Sequence, residues 1–157
     1  MNAIIQPLDA IFGKKLPQLP VSLKELIVKG APWLVIIGLI VTAFSLLAII
    51  PLVMGFATIA VYGAYGSMTG LFIGLIIAII VGILELLAVP GLFKKTNAGW
   101  NFAFYAEIVS LIGMLISFNI VSLIISGLIG FYILFQIRPY YTGAALIGSA
   151  PTTPPLS

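Results

Sequence analysis

Residues 33–55 read WLVIIGLIVTAFSLLAIIPLVMG, a stretch without a single charge that is about as long as a bilayer is thick. Runs of this kind recur, and they constrain the chain more than anything else in it. Residues 67–89, SMTGLFIGLIIAIIVGILELLAV, form a second run whose only charge is Glu85. From Asn101 to Gln136 the chain is apolar for about 36 residues. One helix of that length would extend on the order of 54 Å, well beyond a hydrocarbon core of about 30 Å. Asn119 is the natural breaking point, because asparagine tolerates the left-handed conformation of a tight turn. Two helices, about 100–118 and 120–137, are therefore expected as a hairpin, with a re-entrant pair as the other arrangement open to such short segments.

Composition agrees with that pattern. The 157 residues are 62% hydrophobic and 7% charged, against roughly 25% charged in an ordinary soluble domain. Seven basic and four acidic residues cannot furnish the polar surface of a water-soluble protein this size. The expected fold class is an all-α integral membrane protein, a four-transmembrane-helix bundle with an N-terminal amphipathic segment. Its expected divisions are an interfacial segment 1–32, a membrane domain 33–138 and a flexible tail 139–157 that is rich in Gly, Pro, Ser and Thr. Within the first division Pro17 and Pro20 stiffen a connector, and SLKELIVKGAP has the signals of a short surface helix. Ser22 and Glu25 have capping-box spacing, Gly30 can close the helix, and Pro32 can start the next element. In the same way Pro51 is expected to kink the first span, and Pro90-Gly91 to stop the second.

Charge sets the expected orientation. With four spans, Lys14, Lys15, Lys24, Lys29, Lys94, Lys95 and Arg138 all fall on one side, and the opposite loops carry no cation. The positive-inside rule then puts both termini in the cytoplasm, in a multi-pass protein of a bacterial-type cytoplasmic membrane. Met1–Lys15 does not read as a cleaved signal peptide, since its charges follow its apolar residues. VYGAYG, residues 61–66, shares Tyr65-Gly66 with the end of a potassium-channel filter, but Ala64 stands where that motif has glycine. Only about a dozen residues join the two spans, too few for a pore helix and a filter, so the stretch reads as an outer loop with interfacial tyrosines.

Small residues form the clearest periodic pattern. Gly66, Gly70, Gly74, Ala78 and Gly82 recur every fourth residue, a ridge on which another helix can pack closely. Ser122, Ser126 and Gly130 repeat the spacing in the fourth span, and Ala103, Ser110 and Ser117 share a side of the third, with Ala106 and Gly113 beside them. Two carboxylates lie within the spans. Glu85 is eleven residues past Gly74, which at 100° per residue returns it to about 20° from that glycine. It sits roughly 8 Å from the helix end, and Glu107 roughly 11 Å past Trp100, so antiparallel neighbours would hold both at similar depth. A charge at membrane depth costs several kcal/mol, which makes such residues functional candidates by default. A shared proton or a bound cation is the chemistry that such a pair supports. The competing reading pairs Glu85 with Lys94, Lys95 or Arg138, or lets it snorkel to the headgroups.

Gly99–Phe118, GWNFAFYAEIVSLIGMLISF, resembles the carboxylate helix of rotary-ATPase proteolipid subunits through Phe102-Ala103, Glu107, Gly113 and Leu115-Ile116-Ser117-Phe118. The resemblance covers about 20 residues and implies a proton- or sodium-carrying role for Glu107. The chain departs from that family in spacing its glycines every fourth residue rather than in a dense run, and in having no acid in its fourth span. It differs from small multidrug-resistance transporters, which carry their acid in the first helix.

Catalysis is disfavoured. Histidine and cysteine are absent, so the commonest general base, nucleophile partner and metal ligands are missing. No GxxxxGK[ST] loop or metal-ligand cluster appears, and no base partner is evident for Ser110, Ser117, Ser122 or Ser126. No cofactor and no metal are implied. The thinly spread basic residues make no nucleic-acid footprint. The leading expectation is a non-catalytic membrane subunit, scaffold or assembly partner, with lipid and a second copy or other membrane subunits as partners. The alternative is a proton- or cation-coupled transport component that uses Glu107 with Glu85.

Overall fold

A computed structural model describes residues 2–59 and 65–143. Its elements run in chain order as α1 (Asn2–Leu8), π-helical turns over Asp9–Lys15, α2 (Val21–Ile59), α3 (Tyr65–Phe93), α4 (Asn97–Ile116) and α5 (Ile120–Thr142). No strand occurs among the described residues. Four helices are long and apolar enough to cross a membrane, the organisation of a multi-pass membrane protein. At about 1.5 Å per residue α4 and α5 each reach about 30 Å, enough to cross fully. The loop residues 61–64 and residues 144–157 of the expected tail lie outside the described residues, while residues 139–142 of that tail continue α5, with Tyr141 buried.

The helix starts and stops differ from expectation in instructive ways. The first long helix does not begin as a separate surface helix closed at Gly30. It runs unbroken from Val21 to Ile59 with Pro32 and Pro51 inside it. Its first turn is seeded by Pro20, whose carbonyl accepts from the N–H groups of Leu23 and Lys24, both at 3.0 Å, rather than by a Ser22 cap. Pro32 has no N–H, so the carbonyl four residues earlier loses its helix partner. That carbonyl belongs to Val28, and the Tyr141 hydroxyl donates to it across a long 3.5 Å. A neighbouring helix thus fills the gap, which is how proline is tolerated inside packed apolar helices.

Likewise α3 does not stop at Pro90-Gly91 but continues to Phe93. Thr96 then caps α4: its Oγ1 accepts from Gly99 N at 3.3 Å and donates to Gly91 O at 3.2 Å. Between α4 and α5 the left-handed residue is Phe118, with φ 52, rather than Asn119. Asn119 instead caps α5, its side-chain oxygen accepting from Ser122 N at 3.3 Å. A short polar side chain stabilises a helix start more than it relieves a turn, so the cap won.

Helix α3 packs between α2 and α4, α4 packs on α5, and α2 also reaches α5. The packing is strongly uneven along the bundle axis. The buried residues Val28, Ala88, Leu92, Trp100, Phe104 and Phe135 all lie at the end that carries Lys94, Lys95 and Arg138. Trp100 stacks on Phe104, with centroids 5.3 Å apart, and meets Phe135 edge-on. Its indole N–H donates to Leu134 O at 2.8 Å, so the ring is buried without an orphaned donor. At the same end the α3 and α4 backbones cross at Gly91 and Gly99. A Cβ on either glycine would collide with the other's backbone. The opposite end is loose, with Phe118 and Val121 exposed.

The N-terminal segment docks on this tight end. Gln136, 1% exposed within α5, donates from Nε2 to Phe12 O at 3.2 Å and Pro17 O at 3.4 Å, and its Oε1 accepts from Leu19 N at 3.3 Å. Tyr132 donates to Pro17 O at 2.7 Å. Phe12 packs against Phe131 and Phe135. Arg138 pairs with Asp9 at 3.1 Å while its guanidinium lies over the Trp100 ring at 5.2 Å. A buried amide in an apolar helix demands partners, and here it gathers the backbone of a whole segment.

Candidate functional site

The two membrane carboxylates come together. Glu85 on α3 and Glu107 on α4 both line a cavity of about 250 Å³, walled by Val35, Val81, Ala103, Ala106, Ile133 and Leu134. Helix geometry explains the meeting. The short Lys94–Thr96 connection makes α3 and α4 antiparallel neighbours, and the two acids lie at comparable distances from it. Each has one buried carboxyl oxygen, Oε2 of Glu85 and Oε1 of Glu107, with no hydrogen-bond partner.

Arg138 does not answer these charges. Among the described residues the ion pair is Arg138 with Asp9, and neither Glu85 nor Glu107 has a cationic partner. The ion pair of Glu85 with Lys94, Lys95 or Arg138, one branch of the competing reading, is not formed among the described residues. Asp9 takes the arginine because the N-terminal segment is anchored beside it by Gln136.

Gly130 of α5 completes the site. A Cβ there would fall on the Glu107 carboxylate, so the absence of a side chain makes the seat into which that carboxylate fits. Of the small residues marked in the fourth span, Gly130 alone lines the cavity. Ser122 is engaged through its backbone at the start of α5, and Ser126 is half-buried elsewhere.

A second cavity, about 340 Å³, adjoins the first on the side of the Asn119 end. It shares Val81 and Ser110 with the carboxylate cavity and adds Thr42, Gly113, Ser117 and Asn119. The small-residue side of the third span thus borders space more than it makes tight contact. At Gly113 the approach is close, since a Cβ there would meet Ile77 Cγ2 at 2.9 Å.

The α3 ridge behaves differently again. Added Cβ atoms at Gly70, Gly74 and Gly82 would meet nothing within 4 Å. Gly74 and Ala78 border the outer cavity, and Ala78 and Gly82 a groove against α2. Gly66 falls in the first turn of α3, and its surroundings are outside the described residues. Tight helix contact within the chain comes instead from Gly91 and Gly99, which the every-fourth-residue pattern did not single out. Nor does that pattern point to Gln136 or Asp9. A lone amide in the apolar run of α5 was the one available signal for the first, and Asp9 had none.

Fold and site together define a bundle of four helices long and apolar enough to cross a membrane, with a two-carboxylate cavity between them. No family model, curated protein or solved structure matches the chain.

Proposed function

We propose that the chain is a membrane-embedded component of proton- or cation-coupled transport, in which Glu107, supported by Glu85, binds the transported charge. The observation that carries this reading is the shared cavity with two unpartnered carboxyl oxygens. Two acids without a cation between them are costly in an apolar bundle unless a proton or cation joins them. The paired geometry moves transport ahead of assembly, with which the sequence alone led. Under the positive-inside rule the end bearing Lys94, Lys95 and Arg138 faces the cytoplasm, with both termini. The docked N-terminal segment then lies at that surface, with Ile4, Ile11 and Leu16 exposed beside Lys14 and Lys15.

The test uses proteoliposomes with a pH-reporting dye inside and an imposed potassium diffusion potential. Wild-type protein should pass protons or exchange a cation for them, and Glu107→Gln should lose that flux while still folding and inserting. Carbodiimide treatment in lipid should modify Glu107 and slow as pH rises. Equal flux from Glu107→Gln and wild type, or an accessible Glu107 that resists the reagent, overturns the proposal.

A specific observation favours a second reading, assembly through α3. The open space over Gly70, Gly74 and Gly82 is what a close-packed helix of another subunit would fill. Gly74→Leu should then abolish cross-linked oligomers without disturbing the isolated chain, and unchanged cross-linking removes this reading.

A further inference from the structure

We infer that water and small cations reach Glu107 and Glu85 from the Asn119 end alone, along a polar route past Ser117 and Ser110, while the opposite end is sealed. This rests on the proposed binding role of the two carboxylates and adds the side from which they are served.

The route is built from two cavities rather than one. The outer, about 340 Å³, and the inner, about 250 Å³, meet at Ser110 and Val81. Polar groups follow one another inward: Asn119 and Ser117 at the exposed mouth, Ser110 at the junction, Glu107 beyond it. Ser117, which follows the last residue of α4, is ten residues beyond Glu107, so the route is about 15 Å long. The side-chain hydroxyls of Ser110 and Ser117 have no hydrogen-bond partner among the described residues, which leaves them to water. A water in a protein interior needs two to four polar partners and about 30 Å³, so both cavities have room for several. Thr42 on the facing wall adds another polar partner.

Among the described residues the other end offers no such passage. Ala88, on the floor of the inner cavity, and Trp100 are 0% exposed, and Phe104 and Leu92 are each 2% exposed. The Gly91–Gly99 backbone crossing closes the space between α3 and α4 below them. An aromatic and aliphatic plug of this kind excludes water and ions. Within the described residues the carboxylate cavity is thus closed toward the tight end and bordered by the outer cavity on the other side.

The chain has no cysteine, so single-cysteine variants can be made in the full protein without a background. Ser117→Cys, Ser110→Cys and Leu92→Cys in liposomes would each be exposed to a charged, membrane-impermeant methanethiosulfonate and to a lipophilic maleimide. Ser117→Cys and Ser110→Cys should react with the charged reagent, Ser110→Cys on the order of tenfold more slowly, and Leu92→Cys should stay inert to it. Ser110→Cys reacting with the maleimide alone would mean that the groove faces lipid, and no reaction with either reagent would mean that there is no route. Either result overturns the inference, as does Leu92→Cys labelled as fast as Ser110→Cys. Repeating Ser110→Cys labelling in Glu107→Gln separates the two proposals: a labelled route with unimpaired flux sinks the binding role and leaves the route standing.

Discussion

Gly130→Ala probes the seat of Glu107 with one methyl group. The new Cβ would occupy the place of the carboxyl group, whose carbon and both oxygens lie within its reach. The obstructing atoms are the far end of a flexible side chain, so Glu107 can swing aside at about 0.5–1.5 kcal/mol for an unfavourable rotamer. Replacing glycine by alanine inside a helix returns about 0.5–1 kcal/mol. The two contributions nearly cancel, and the net change in stability should fall within about 1 kcal/mol. The position of the carboxylate should nevertheless change, because the cavity wall at α5 is now filled. Thermal unfolding in detergent should give a near-native midpoint, while carbodiimide modification of Glu107 in lipid should change rate several-fold. A large drop in the midpoint would mean that α4 and α5 cannot accommodate the methyl group. An unchanged labelling rate would mean that Gly130 does not seat the carboxylate, and the account of the site would be wrong.

The remaining expectations concern the tight end. Gly99→Ala drives a methyl into the Gly91 backbone, which cannot turn aside, so a loss of about 1–3 kcal/mol or more should appear as a lower unfolding midpoint. A midpoint equal to wild type would contradict the crossing. Gln136→Leu strands the Leu19 N–H and removes a donor from the carbonyls of Phe12 and Pro17. It should cost about 1–3 kcal/mol and speed tryptic cleavage after Lys14 and Lys15, with an unchanged digestion rate as the contrary result. Tyr141→Phe removes a long bond to the carbonyl freed by Pro32, so its effect should stay below about 1.5 kcal/mol by the same unfolding assay. A larger loss would show that the hydroxyl does more than fill that gap.

Span number, helix type and the interest of Glu85 and Glu107 were legible in the residues themselves. Lipid leaves backbone groups no partner but their own helix, so long apolar runs have one available conformation, and their length can be counted. Depth along a helix is equally countable at a fixed rise per residue, which is why residue spacing alone sets two acids in adjacent spans at one level. Which way each helix turns its faces is not countable in this manner. The Gly70–Gly82 ridge reads as a close-packing face, within the bundle or between copies, and within the folded chain Gly70, Gly74 and Gly82 meet open space, while the backbones touch at Gly91 and Gly99. Small residues permit close approach without requiring it, and the neighbour that comes is chosen by the whole packing arrangement. Proline behaved the same way: Pro32 and Pro90 looked like boundaries, but a helix continues through proline when a partner such as Tyr141 takes up the freed carbonyl. The pairing of Asp9 with Arg138, and with it the isolation of Glu85 and Glu107 from the cations of the described residues, depended on contacts more than a hundred residues apart in the chain. Such contacts arise from the docking of one segment on another, and only the tertiary structure decides them.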